Sequence, residues 1–165
     1  MIKTIFTTIL ICFYAISFGQ ETQKFKMDNI SFEYPAHWNT YSSEYYIQVK
    51  DTVPKGKSFL KYFEITIDTG YIALIDYCKF LEDSVSKIGF EFKVQTKKEI
   101  DFKGMKAIDY WCTAVIFDIE VEWKYIIFMN DGNVYKLSSF SRVKVREETS
   151  FMEIIDDILE SFKIE

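Results

Sequence analysis

The stretch from Phe90 to Ser141 constrains the fold most, because turn chemistry cuts it into four runs of strand-like sequence. Phe102-Lys103-Gly104, Asp118-Ile119 and Asn130-Asp131-Gly132-Asn133 are the three hairpin signals. Asp-Gly at the centre of a two-residue loop supplies the positive φ of a type I′ turn. Gly104 suits the third position of a three-residue loop, where a left-handed residue forms a bulge. In that register one face collects Phe90, Phe92 and Val94, then Tyr110, Cys112, Ala114 and Ile116, then Val121, Trp123, Tyr125 and Ile127. A two-residue Lys103-Gly104 loop would turn Phe92 and Val94 away from this face, so the longer loop is expected. Glu120, Glu122 and Lys124 fall on the other face, which is expected to meet water in part.

The rest of the chain supplies shorter strands and two helices. Ile30 to Tyr34 alternates as a half-buried strand does, and Pro35 ends it. The residues from Gln20 to Asp28 form a polar lead, expected to be loose, and Ala36 to Asn39 a turn with Trp38 tucked beneath it. Further strands are expected over Tyr45 to Val49 and Phe59 to Asp68, separated by a charged loop. Leu74, Cys78, Leu81, Val85 and Ile88 recur in steps of one helical stripe, which Gly89 closes. Ser150-Phe151-Met152-Glu153 is a capping box opening a second helix with its stripe at Phe151, Ile155, Ile158 and Phe162. The fold class is α+β, an antiparallel sheet of six to seven strands flanked by helices. Aromatics make up 18% of the chain, with 16 Phe and 11 Tyr, which suits a ring-packed β core.

Residues 1–19 carry a different signal. Met1-Ile2-Lys3 precedes an uncharged apolar run, and Ser17-Phe18-Gly19 places small residues at the −3 and −1 positions of a cleavage site. A bilayer-spanning helix needs about 20 apolar residues, more than this run offers. The expectation is a signal peptide over 1–19 and a single domain over 20–165, exported to the periplasm or beyond the cell, with no stable membrane insertion after cleavage. Formal net charge is −5, without a basic block, which argues against nucleic acid and anionic membranes as partners. Past the leader two cysteines remain, Cys78 and Cys112, and export makes them a candidate disulfide. Cys78 faces the sheet from its helical stripe and Cys112 belongs to the apolar face. A bond there would stabilise by roughly 3–4 kcal/mol in the chain-entropy model.

Three segments carry a family resemblance. Ile30-Ser31-Phe32-Glu33-Tyr34-Pro35-Ala36-His37-Trp38 resembles the opening F-x-Y-P-x-x-W of PsbP-like domains. Ile100-Asp101-Phe102-Lys103-Gly104-Met105-Lys106-Ala107 is similar to the family's central hairpin. Ile158-Leu159-Glu160-Ser161-Phe162-Lys163-Ile164 is similar to its closing helix. The resemblance implies an α-β-α sandwich and, for function, binding and assembly roles rather than catalysis.

Chemistry-bearing patterns are sparse. His37 is the only histidine, placed in a surface turn, and no ligand spacing surrounds it. Glu120 and Glu122 point the same way on a strand, an arrangement that could serve acid–base work but is first of all a solvated strand face. No phosphate loop, nucleophile elbow or metal-binding helix occurs. No cofactor is expected, and catalysis is not. The partner expected is another protein, with Tyr41, Tyr45 and Tyr46 as candidate contacts, since tyrosine brings contact area at little entropic cost. The alternative is a small-ligand carrier with an aromatic cleft between helix and sheet.

Overall fold

The computed structural model describes residues 21–51, 61–70, 73–88, 90–143 and 149–165. The expected leader, Gly89 and most of the charged loop after Asp51 lie outside them, as do the side chains of Thr149 and Ser150. A seven-stranded antiparallel sheet forms the centre. Its strands are β3 (Asn39–Ser43), β4 (Tyr46–Lys50), β5 (Tyr62–Thr69), β6 (Phe90–Phe102), β7 (Met105–Ile116), β8 (Ile119–Asn130) and β9 (Asn133–Arg142). They are ordered β3-β4-β5-β9-β8-β7-β6, so the β6–β9 meander provides more than half of the sheet.

A second sheet, ordered β1-β2-β10, joins the two ends of the chain through β1 (Thr22–Met27), β2 (Ile30–Pro35) and β10 (Lys163–Ile164). Helix α1 (Leu74–Ile88) and helix α2 (Thr149–Ser161) complete the fold. They cover opposite faces of the large sheet, because side chains alternate across a strand. Under α1, Tyr77, Cys78, Leu81 and Val85 pack on Tyr110, Cys112, Tyr125 and Ile127. Under α2, Phe151, Ile155, Ile158 and Phe162 pack with Phe63, Ile65, Phe128 and Leu137, and β2 adds Ile30, Phe32 and Tyr34 to this larger core.

The apolar face expected of the meander is present. Tyr110 pairs with Tyr125, Cys112 with Trp123 and Ala114 with Val121. The turns depart from expectation in two places. Phe102 pairs with Met105, so the first loop has two residues, Lys103 at φ 56° and Gly104 at φ 81°. That geometry matches the twist of the flanking strands, and Asp101 Oδ1 accepts the Gly104 N–H at 3.0 Å. Phe92 still packs on the α1 side, and Val94 still pairs with Cys112. The register change comes from irregularities within β6, between Phe90 and Lys93 and between Val94 and Thr96. Phe90 is left behind, pairing with Val115 and 81% exposed. The second turn is centred on Phe117 and Asp118, one residue earlier than expected, since Ile116 pairs with Ile119.

Three strands carry no sequence signal of their own: β1, β3 and the two-residue β10, which follows α2 where the sequence suggests only a closing helix. The polar lead is not loose: it contains β1, all six of whose residues pair with β2. Its Phe25 stacks on Phe32 with ring centroids 5.1 Å apart, which anchors an otherwise polar strand. β3 is exposed along its whole length and pairs only with β4, so it carried no burial pattern to detect.

Candidate functional site

The β3–β4 hairpin sits at one edge of the large sheet, and the three candidate tyrosines divide within it. Tyr41 on β3 is 62% exposed and Tyr45 in the turn is 51% exposed. Tyr46, at the start of β4, is half-buried; its hydroxyl donates to Glu64 Oε2 at 3.2 Å and accepts from Gln48 Nε2 at 2.6 Å. Burial first, and then the Glu64 carboxylate, push the Tyr46 hydroxyl up to about 12. The Tyr41 ring leans on Tyr46, with centroids 6.1 Å apart. One tyrosine therefore braces the hairpin while two present their rings to solvent.

Cys78 and Cys112 lie in one apolar cluster between α1 and the sheet, both as free, buried thiols. The candidate bond between them is not formed. Burial raises both; Cys112, with the Glu82 carboxylate adding to the effect, is pushed up to about 12. A thiol held protonated in this way is a packing group rather than a nucleophile.

Glu122 corrects the expectation of a solvated carboxylate pair. Glu120 is exposed, but Glu122 is only 3% exposed. It pairs with Thr113 on β7 and Ser141 on β9, so three polar side chains form a row across three strands. Its carboxylate accepts from Trp111 Nε1 at 3.1 Å and from Ser141 Oγ at 3.0 Å. A buried acid survives there because its acceptor capacity is used. The signal was present in the sequence as polar residues at matching positions of neighbouring strands. His37 lies at the surface, with Nε2 3.6 Å from Asp51 Oδ1.

The expected aromatic cleft is mostly filled. Phe102, Phe128 and Phe162 contact one another, Phe63 contacts Phe32, and Trp38 stacks on Phe151. The space left between α2 and the large sheet is about 200 Å³, with Phe63 its only phenylalanine wall. That is below the about 300–1,000 Å³ usual for ligand pockets; an open cleft of about 400 Å³ between α2 and β2 reaches that range, but among the described residues Tyr34 is the one aromatic lining it.

These features define a PsbP-like α+β fold, in which a meandering antiparallel sheet is held between two helices. The cyanobacterial PsbP of Synechocystis has it at a TM-score of 0.65 and 12% identity, over 88% of this chain and 94% of that one. LpqN, involved in cell envelope biogenesis of Mycobacterium tuberculosis, has it at 0.59 and 16%, over 87% and 90%. PA94 of Pseudomonas aeruginosa, described as a regulator candidate of unknown function, has it at 0.54 and 14%, over 81% and 92%. No family model matches the sequence, and no curated protein does. At such identities the likeness is one of fold, and function has to be argued from the surface.

Proposed function

We propose that the protein is an exported, non-catalytic interaction module of the cell envelope or the space outside the cell, and that it meets a partner protein through the β3–β4 hairpin. The observation carrying this reading is the exposure of Tyr41 and Tyr45 on an edge hairpin whose brace, Tyr46, is fixed by hydrogen bonds. Rigid aromatic side chains already held near their bound positions lose little entropy on docking. Among the described residues β3 is the last strand at its edge of the sheet, a position that suits strand addition. The envelope setting draws support from the leader-like sequence before Gln20 and from the involvement of LpqN in cell envelope biogenesis.

The test begins with exported protein whose N-terminal residue is read and expected to be Gln20. That material is cross-linked to its own envelope fraction beside the Tyr41→Ala/Tyr45→Ala variant. The variant is expected to lose the cross-linked partner while its thermal midpoint stays nearly unchanged, as exposed substitutions usually cost under about 0.5 kcal/mol. Tyr46→Ala is expected to melt earlier. Equal capture by the double variant would remove the hairpin from the interface.

A further inference from the structure

The β1–β2 hairpin and the C-terminal half of α2 enclose an open cleft of about 400 Å³. Its walls carry two chemistries. Tyr34, Pro35, Ile154 and Ile158 give apolar surface, while Glu33, Asp157 and Glu160 contribute carboxylates; among the described residues no basic one lines it. The helix sets this arrangement, because residues 154, 157, 158 and 161 fall three and four apart on neighbouring turns. The strand fixes the opposite wall. β10 pairs with β2 only at Ser31 and Ile30. Beyond that point Ser161 Oγ accepts the Glu33 N–H at 2.9 Å, locking the helix end against the strand edge.

The charges in the cleft are left uncompensated from within. Among the described residues none of the three carboxylates enters an ion pair. Lys24 stands opposite Glu33 in the β1–β2 ladder without closing on it. Lys103 Nζ approaches from the β6–β7 turn but donates to the Glu160 backbone carbonyl, at 2.6 Å. The last turn of α2 contains no basic residue. Glu160 lies in that turn and Asp157 directly precedes it, at the helix end where the dipole is already negative and a carboxylate opposes stability. The dipole and the three acids therefore add their fields over one concave, apolar-walled space.

We propose that this cleft is a docking site for a basic side chain presented by a peptide segment of a partner protein. Lysine and arginine combine an aliphatic stem with a cationic head. The stem matches the Pro35, Ile154 and Ile158 walls, and the head matches the carboxylates, where charge-assisted hydrogen bonds are the strong ones. The site uses none of the tyrosines of the β3–β4 hairpin, so the two surfaces stand or fall separately.

Fluorescence anisotropy with a labelled Gly/Ser octapeptide carrying two arginines, and with its twin carrying glutamines, tests the assignment. The arginine peptide is expected to bind at least about tenfold more tightly than the twin, and to weaken several-fold as salt rises from about 0.05 to 0.3 M. The Glu33→Gln/Asp157→Asn/Glu160→Gln variant is expected to lose about tenfold in affinity while melting no earlier than the parent, since acids leave a helix C-terminus. That combination separates a binding role from a structural one. Thr22→Lys, which keeps all three acids but sets a competing ammonium at the cleft wall, is expected to weaken the peptide as well. Salt-insensitive binding, equal binding of the two peptides, no binding at all, or full affinity in the amide variant would each overturn the proposal.

Discussion

Two buried tyrosine hydroxyls one helix–sheet layer apart have opposite standing. Tyr77, 2% exposed on α1, donates its hydroxyl to Asp68 Oδ2 at 2.5 Å and so ties the helix to the end of β5. Tyr110, fully buried on β7, has a hydroxyl with no hydrogen-bond partner among the described residues. Removing the donor of a charge-assisted hydrogen bond loses that bond, whereas removing a buried unsatisfied polar atom removes only its desolvation penalty. Tyr77→Phe is therefore expected to destabilise by about 2 kcal/mol, and Tyr110→Phe to leave stability unchanged or raise it. Urea titrations of the two variants against the parent check both signs. A loss in Tyr110→Phe as large as that in Tyr77→Phe would contradict the assignment. The sequence placed Tyr110 on an apolar face by alternation alone. It could not distinguish the two hydroxyls, since Asp68 reaches Tyr77 only through the path of the chain between β5 and α1.

At the scale of elements, local chemistry fixed what local chemistry controls. Asp131 and Gly132, both left-handed at φ 48° and 77°, make the expected turn between β8 and β9. The turn between β7 and β8 uses Phe117 and Asp118 at φ 49° and 61°. A type I′ turn prefers asparagine or glycine at such positions, so an aromatic residue there gave no turn signal. Phe117 is also 91% exposed, which leaves it little burial to offset a left-handed backbone. Phe117→Asn is thus expected to stabilise by about 1 kcal/mol, or to raise the thermal midpoint by about 3 °C for a chain of this size. A lowered midpoint in calorimetry would mean that the ring packs on something the turn geometry does not reveal. The same limit explains the misplaced first loop. Its two-residue geometry was hidden because β6 restores the Phe92 and Val94 facing through bulges of its own, and a bulge has no firm sequence signature.

For the whole molecule, helical stripes and strand alternation were enough to specify the layers, because each reports one buried face. They could not specify that β1 and β10 from the two chain ends would sandwich β2, nor that the carboxylates of β2 and α2 would meet across a cleft. Those depend on contacts between residues far apart in sequence, such as Ser161 with Glu33. The layers also set how stability depends on pH. The space between α1 and the sheet buries Cys78, Cys112, Tyr110 and Tyr125 together. Burial is the leading cause of a raised pKa at each of them; Cys112 moves from 9.0 to about 12. Tyr46, on the edge hairpin, moves from 10.0 to about 12. Above pH 9 the unfolded chain releases the cysteine protons while the folded chain retains them. The unfolded state then binds fewer protons, so the unfolding free energy falls as pH rises. Stability is expected to hold from pH 7 to about 8.5 and to decline through the window from 9 to 12, with tyrosine joining above 10. Denaturant titrations at pH 7, 9 and 10.5 measure the slope, and Cys112→Ala is expected to make it shallower between 9 and 10.5 despite a lower stability at pH 7. A slope unchanged in Cys112→Ala would show that the thiol is not held protonated by the layer that covers it.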